Sequence, residues 1–262
     1  MEKQKLAELT LGAVVLIFGV LIAINFAHID ESNANTLTSI MFNRRQVTTP
    51  LLRVVDEVGE NVYSKSEIAY PQFVRGPVDL NNAVKSVVSD ALLRHESMAE
   101  ANWLARSSGL DTAGGKVTPP TSVDKLLLRI TWEPGEINMG RLSFLLRFRA
   151  AVGDGHTIEE VKTFNYDVRG HRMLQVADMF PDNPNYLDQL SGFAYDSLKQ
   201  QLTEKFSAKL GDAALKWLKA GTAPEKNNFK EFLVMHGNVI LYFGQNQVAA
   251  YKNGVPEVWY PL

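Results

Sequence analysis

The hydrophobic pattern begins with a mostly apolar stretch that contains no charged residue, from Leu9 to Ile29. A helix of these 21 residues would rise about 30 Å, which is the thickness of the hydrocarbon core of a bilayer. Lys3 and Lys5 precede the stretch, and Asp30 follows it. Because positively charged flanks stay on the cytoplasmic side, the pattern predicts a single-pass plasma membrane protein with a cytoplasmic N-terminus and an extracytoplasmic C-terminal domain.

The same stretch is also compatible with a cleavable signal peptide, because Ser32-Asn33-Ala34 offers a small-x-small cleavage site. We favour the anchor, since the apolar region of a signal peptide is usually about 7 to 15 residues long. Export follows from either interpretation. The predicted organisation is a cytoplasmic tail over residues 1–8, a transmembrane anchor over 9–29, a polar tether over 30–49 and an extracytoplasmic domain over 50–262.

Two periodicities occur within the predicted domain. Apolar and polar residues alternate in segments that predict strands over 51–58, 62–70, 125–132, 141–152, 161–168 and 171–176. Two more strands, over 228–235 and 239–244, are joined by a turn at His236 and Gly237. Apolar residues at helical spacing predict a long helix after Asp79 and another that Asn183 caps, with Pro184 in its first position. A shorter helix is predicted over 213–219. In the predicted strand over 141–152 the inward residues are Leu142, Phe144, Leu146 and Phe148.

These predicted elements occur in clusters of strands and clusters of helices. Such an order favours the α+β class, with a largely antiparallel sheet packed by two long helices. Residues 107–124 are rich in Gly, Pro, Ser and Thr and predict a long surface loop. This loop divides the domain into an N-terminal part, 50–124, and a C-terminal part, 125–262.

Composition excludes several kinds of partner. Lys and Arg number 27 against 29 Asp and Glu, so there is no basic excess to neutralise nucleic-acid phosphates. The chain has no cysteine, which excludes disulfides, thiolate metal sites and cysteine nucleophiles. The five histidines lack the spacing of a helical metal site, and no phosphate-binding loop motif is present. We therefore expect no cofactor, no metal, no nucleotide and no nucleic acid.

Several motifs follow one another in an order typical of a known family. They are SEIAYPQFVRG, GDGHT followed by FNYDVRGHRMLQVADMF, and FKEFLVMHGNVILYFGQNQVAAYKNGVPEVWYPL. Through them residues 50–262 resemble the extracytoplasmic domain family of RsiV-like anti-sigma factors and PdaC-type peptidoglycan deacetylases, domain-of-unknown-function family 3298. The last motif is the most specific. After its hairpin this chain has Gln245 and Asn246 where the family typically has Asn-Pro-Tyr, whereas Tyr251 matches the family pattern.

The resemblance implies a binding or sensing role, because in RsiV-like proteins this domain receives an envelope ligand. Only residues 1–8 precede the predicted anchor, so we expect no cytoplasmic anti-sigma segment. We also expect no deacetylase domain, which in the PdaC type follows the shared module.

Two groups of polar residues are candidates for a site. His156 lies in the GDGHT turn near Asp154, which could orient it as a general base, but a loop histidine bonded to backbone is favoured because no nucleophile or second acid accompanies it. Arg147 and Arg149 share the outward side of one strand with Arg141. They could meet an anionic glycopolymer or an acidic protein, or form a solvated row paired with Glu159, Glu160 and Asp167.

The sequence therefore predicts a membrane-anchored extracytoplasmic binding or sensing module that is not itself an enzyme. Its expected partners are the membrane, through residues 9–29, and a cell-wall glycan or an envelope protein. The candidate binding residues are His156, Arg147, Arg149, Gln245, Asn246 and Tyr251. Two alternatives stay open: a cell-wall hydrolase or hydrolase accessory with a site near His156, and a structural subunit of an envelope complex.

Overall fold

A computed structural model describes residues 52–74, 76–111, 120–121, 124–153 and 155–262. Residues Thr49–Leu262 form one compact unit. The predicted anchor over 9–29 and the tether over 30–49 lie outside the described residues. Within the described ranges no helix is both long enough and apolar enough to cross a membrane.

The described residues form nine strands and three α-helices. The strands are β1 Leu52–Glu60, β2 Ser64–Phe73, β3 Leu126–Ile137, β4 Arg141–Ala151, β5 Thr157–Asp167, β6 Arg172–Met173, β7 Phe232–Met235, β8 Asn238–Tyr242 and β9 Glu257–Pro261. The helices are α1 Val78–Asp111, α2 Tyr186–Phe206 and α3 Asp212–Gly221. Short 3-10 helices cover Val176–Met179, Lys226–Phe229 and Tyr251–Asn253.

The strands form two sheets rather than one. Strands β1 to β6 make a six-stranded sheet in chain order, and β7, β8 and β9 make a second sheet. Every neighbouring pair is antiparallel except β2 and β3, which are parallel. Helix α1 connects these two strands, as a parallel connection requires a crossover. The predicted α+β class with a mostly antiparallel arrangement is confirmed.

The elements stack in four layers. Helix α1 packs through Leu80, Val84 and Val88 on one face of the larger sheet. The opposite face of that sheet, at Leu145 and Val161, packs on the smaller sheet. The outer face of the smaller sheet is covered by α2 and α3. Each sheet therefore buries apolar side chains on both faces where the two sheets overlap.

Strand β4 shows the consequence of this stacking. Its predicted inward residues, Leu142, Phe144, Leu146 and Phe148, are all buried in the core beneath α1. Leu145, on the opposite face, is also fully buried, because the smaller sheet lies over it. Alternation along the strand predicts the first set from local spacing, whereas burial of Leu145 depends on a distant segment.

The two sheets are joined by hydrogen bonds between side chains and backbone. The outer edge of β7 has no strand partner among the described residues. Its backbone instead forms hydrogen bonds with polar side chains of the larger sheet. Asn165 donates from Nδ2 to the carbonyl of Phe232 at 2.6 Å, and the N–H of Val234 donates to Ser143 Oγ at 2.9 Å. Ser143 Oγ in turn donates to Asn165 Oδ1 at 2.5 Å. We call Ser143 and Asn165 the inter-sheet pair; both are buried.

Two predicted helix boundaries were wrong. Helix α1 continues through Ser107 to Asp111, and the hydroxyl of Ser107 donates to the carbonyl of Trp103, one turn earlier, so this polar group finds its partner on the helix itself. Asn183 does not cap α2, which begins at Tyr186 after Asn185. Instead the Asn183 side chain accepts a hydrogen bond from the N–H of Asn185 at 3.1 Å, forming a turn before the helix.

His95 is buried on α1 and packs beside the start of β3. Its Nε2 lies 3.1 Å from the carbonyl of Leu126, whereas Nδ1 is buried without a hydrogen-bond partner in the described structure. Burial lowers the pKa of His95 below its ordinary value of 6.5, although the Leu126 carbonyl opposes this shift. The imidazole is therefore held neutral as a packing residue of the core.

This burial predicts acid sensitivity. Between the ordinary pKa of about 6.5 and the lower pKa of the folded state, the unfolded chain binds more protons at His95 than the folded chain does. The free energy of unfolding therefore falls as the pH decreases through this range. Denaturant titrations at about pH 7.5 and about pH 5 should show a smaller difference for His95→Gln than for the native chain. Exposed His171 is the control, and His171→Asn should leave the difference unchanged. A difference in His95→Gln as large as that of the native chain would contradict the assignment.

Candidate functional site

A groove of about 540 Å³ runs along one edge of β5. The opposite wall comes from two segments of the smaller sheet's connections: residues 227–231, which lead into β7, and residues 244–247, which follow β8. Tyr242 and Val255 also line it. The site is thus built between a sheet edge and two loops that lie far from β5 in the sequence.

The groove exists because most of this edge of β5 has no neighbouring strand in the described part of the chain. Strand β6 has only two residues and pairs with Tyr166 and Asp167 at the end of β5. The chain then leaves the sheet for a 3-10 helix at Val176. Among the described residues, no strand pairs with the rest of this β5 edge, from Ile158 to Asn165.

Two side chains take the place of a neighbouring strand. The N–H of Glu159 donates to Gln245 Oε1 at 2.9 Å. The N–H of Thr163 donates to Glu231 Oε2 at 2.8 Å, and the Thr163 hydroxyl donates to the same oxygen at 3.1 Å. We call Gln245 and Glu231 the edge caps. They satisfy two outward-facing backbone donors that an unpaired edge would leave to solvent.

Glu159 brings together three of the predicted binding residues. Its Oε1 lies 2.9 Å from Arg147 Nη1 and 3.4 Å from Arg149 Nη2, while its backbone N–H is held by Gln245. Arg147 also pairs with Glu133, at 2.8 Å. Burial lowers the pKa of Arg147, but the hydrogen bonds that it donates to Glu133 and Glu159, together with their negative charges, outweigh burial and raise it overall. Both arginines are therefore paired with carboxylates of the protein.

Charges within the groove are also balanced. Lys162 lies 3.0 Å from Glu160 and 3.2 Å from Glu231. Burial lowers the Lys162 pKa, but these two carboxylates raise it by more. Lys230 is exposed at the rim. Three glutamates and two lysines line the groove, so it presents neither a strongly basic nor a strongly acidic surface.

The loop after β8 is held by Gln247. Its Oε1 accepts the N–H of Gly244 at 3.0 Å, and its Nε2 donates to the carbonyls of Gly221 and Asn228 at 3.0 and 3.1 Å. Asn246 adopts a left-handed conformation with φ 65°, and its carbonyl accepts the indole N–H of Trp217 at 2.8 Å. The loop is thus fixed to α3, and the exposed Asn246 side chain lines the groove.

The other predicted residues lie elsewhere or outside the described structure. His156 is in the turn between β4 and β5, where its carbonyl accepts the N–H of Val152 at 3.0 Å. Its proposed partner Asp154 lies outside the described residues. Tyr251 begins a 3-10 helix, and its side chain is also outside the described part. Gly254, shortly after it, lies close to Glu159: a Cβ at this glycine would be 3.5 Å from Glu159 Oε2.

Sequence reasoning missed the roles of Glu159 and Glu231 as organisers of the groove. Glu159 was predicted only as a counter-charge for the arginines, and Glu231 only as part of a strand. Both act through contacts between segments far apart in the chain: Gln245 bonds the backbone of Glu159 across 86 positions, and Glu231 that of Thr163 across 68. No local motif marks either contact.

The chemistry available in the groove is hydrogen bonding. In the described residues no group of three or more His, Cys, Asp or Glu side chains is arranged to hold a metal ion. Tyr242 is buried at the groove, and burial raises the pKa of its phenol, so it stays protonated. The groove is also lined by Asn227, Gln245 and Asn246, whose amide side chains carry both donors and acceptors.

The fold and groove lie in a chain whose C-terminal part matches a known family. Residues 177–262 match the family described as Protein of unknown function (DUF3298). The predicted resemblance to this domain family is therefore confirmed.

One curated relative is the peptidoglycan-N-acetylmuramic acid deacetylase PdaC of Bacillus subtilis (strain 168), which is 40% identical over 99 residues. The match covers 38% of this chain but only 20% of that enzyme. The shared region is therefore a small part of the deacetylase.

Two solved structures of the same family are similar to this chain. One, from Bacteroides fragilis NCTC 9343, has a TM-score of 0.54 at 13% identity and covers 83% of this chain and 92% of its own. The other, from Pseudomonas aeruginosa PAO1, has a TM-score of 0.47 at 16% identity and covers 83% of this chain and 91% of its own. The first of these likenesses shows a shared fold across most of the chain.

Proposed function

We propose that this protein is a non-catalytic, membrane-anchored binding module that holds a cell-wall polymer outside the cytoplasm. The observation that carries the proposal is the groove beside β5, which is lined by amide side chains and balanced charges. The fixed Gln247 loop supports it further, since a preorganised wall loses little conformational freedom when a ligand binds. PdaC, which acts on peptidoglycan N-acetylmuramic acid, contains a region similar to this chain.

The side chains that line the groove are better suited to binding such a polymer than to catalysing a reaction. Sugar hydroxyls and amides both donate and accept hydrogen bonds, and so do the side chains of Asn and Gln. Balanced charge favours a ligand with little net charge over a polyanion. The arginines suggested as an anion site from the sequence are already paired with Glu133 and Glu159. The proposal therefore places binding in the groove rather than on the arginine row.

The test is co-sedimentation of the full chain, purified in mild detergent, with insoluble peptidoglycan. A double variant, Asn227→Ala with Asn246→Gly, removes two exposed amides while glycine keeps the left-handed conformation at position 246. We expect it to bind about tenfold or more weakly, because tenfold corresponds to about 1.4 kcal/mol, roughly the contribution of one hydrogen bond.

The matched control is Asn185→Ala, which removes an exposed amide outside the groove. It should bind peptidoglycan as the native chain does. Equal binding by the native chain and the double variant would contradict the proposal. Capture of an envelope protein that depends on these two asparagines, without any binding of peptidoglycan, would assign the groove to a protein partner instead.

A further inference from the structure

The backbone of β5 presents one donor between the two edge caps. Alternate residues of a strand direct their N–H and C=O groups to the same edge. Since Glu159 and Thr163 donate into the groove, Val161 between them directs its own N–H there as well. Val161 lines the groove. Among the described residues, no side chain caps its N–H as Gln245 and Glu231 cap the neighbouring donors.

The spacing limits what can bind there. The capped residues Glu159 and Thr163 are four positions apart, which is about 13 Å along a strand. A long peptide could add as a new strand only by displacing both Gln245 and Glu231 from their backbone donors. A ligand that offers a single carbonyl at Val161 fits between the caps and displaces neither.

The residues of the opposite wall favour a ligand whose carbonyl belongs to a secondary amide. In a trans secondary amide the C=O and N–H point in opposite directions. An amide whose oxygen faces Val161 therefore directs its N–H toward the other side of the groove, whose lining includes the side-chain amides of Asn227 and Asn246. A hydroxyl accepts and donates at a single oxygen atom, whereas a trans amide places its acceptor and its donor on opposite sides, one toward each wall.

We propose that the groove recognises a secondary amide of its ligand, with the amide oxygen accepting a hydrogen bond from the N–H of Val161. This rests on the proposed binding of a cell-wall polymer. The amide could come from the N-acetyl group of an amino sugar or from the peptide part of the wall. Both sources share the chemistry that the groove requires.

The experiment compares three probes on the full chain by calorimetry: a β-1,4-linked tetramer of N-acetylglucosamine, the corresponding tetramer of glucose, and a wall stem tetrapeptide. The two sugars differ chiefly in the acetamido group. We expect the acetylated tetramer or the tetrapeptide to bind about tenfold or more tightly than the glucose tetramer, a difference of about 1.4 kcal/mol. Whichever of the two binds identifies the source of the amide.

Two variants separate the backbone donor from the side chain. Val161→Pro removes the N–H, which is not part of the β4–β5 hydrogen-bond ladder, whereas Val161→Ala shortens the side chain and keeps the N–H. Only the proline variant should lose the preference for amide-bearing probes. Should that variant fail to fold, the amide resonance of Val161 in the isotope-labelled native chain decides, and it should shift on saturation with the preferred probe.

Equal affinity for both sugars with no binding of the tetrapeptide would overturn the amide proposal, as would an unmoved Val161 resonance at saturation. If peptidoglycan binding still depends on Asn227 and Asn246 while every amide probe leaves Val161 unaffected, the amide proposal fails and the proposed function stands. If peptidoglycan does not bind at all, the proposed function fails first.

Discussion

Replacing Asn165 by leucine is expected to lower the free energy of unfolding by about 3 to 5 kcal/mol. The carbonyl of Phe232 would lose its donor and the hydroxyl of Ser143 would lose the acceptor for its proton, both in a buried place. Each unpaired group costs about 1 to 3 kcal/mol. Since domains are stable by only about 5 to 15 kcal/mol, the variant should be close to unfolding. Urea titration monitored by circular dichroism measures the change.

The matched control makes the same substitution at an exposed amide. Asn185 precedes α2 and its side chain makes no capping hydrogen bond. Asn185→Leu should therefore change the free energy of unfolding by less than about 0.5 kcal/mol. If Asn165→Leu were no more destabilising than this control, the inter-sheet pair would not hold the two sheets together.

The second large effect is expected for Gly221→Ala. A Cβ at Gly221 would lie 2.0 Å from the carbonyl oxygen of Gln247, which is backbone and cannot rotate away. Either α3 or the 244–247 loop must move, at a cost of about 3 kcal/mol. Because this loop carries Gln245 and Asn246, the variant should also weaken peptidoglycan binding. Thermal melting and co-sedimentation give the two readouts.

Gly192→Ala is the control for this substitution. Gly192 lies within α2, and nothing is within 4 Å of a Cβ at that position. Alanine should stabilise the helix by about 0.5 to 1 kcal/mol, because glycine loses more backbone entropy on folding. Binding should stay unchanged. A Gly221→Ala protein as stable as the Gly192→Ala protein would show that α3 and the loop are not in tight contact.

The sequence predicted the features that depend on local periodicity. The inward residues of β4 follow from alternation alone, and all four are buried. The hairpin between β7 and β8 follows from His236 and Gly237, whose positive φ values of 50° and 74° suit a two-residue turn. Such signals are readable because the residues that produce them are neighbours in the chain.

The features that were missed depend on distant contacts. The hydrophobic periodicity does not show that the strands divide into two sheets. Leu145, for example, is buried by residues of β7 and β8, which lie far from it in the sequence. The groove likewise arises because β6 is short and because Gln245 and Glu231 reach back to β5. Gln245 and Asn246 were predicted as binding residues from the terminal motif, but their position beside β5 requires the folded structure.

The most direct test of the account is hydrogen exchange of the full chain with and without solubilised peptidoglycan fragments, read by mass spectrometry. We predict slower exchange in peptides covering 158–163 and 244–247, with little change in β1 and α2. Protection confined to β1 or α2, with unchanged exchange along β5, would contradict binding in the groove.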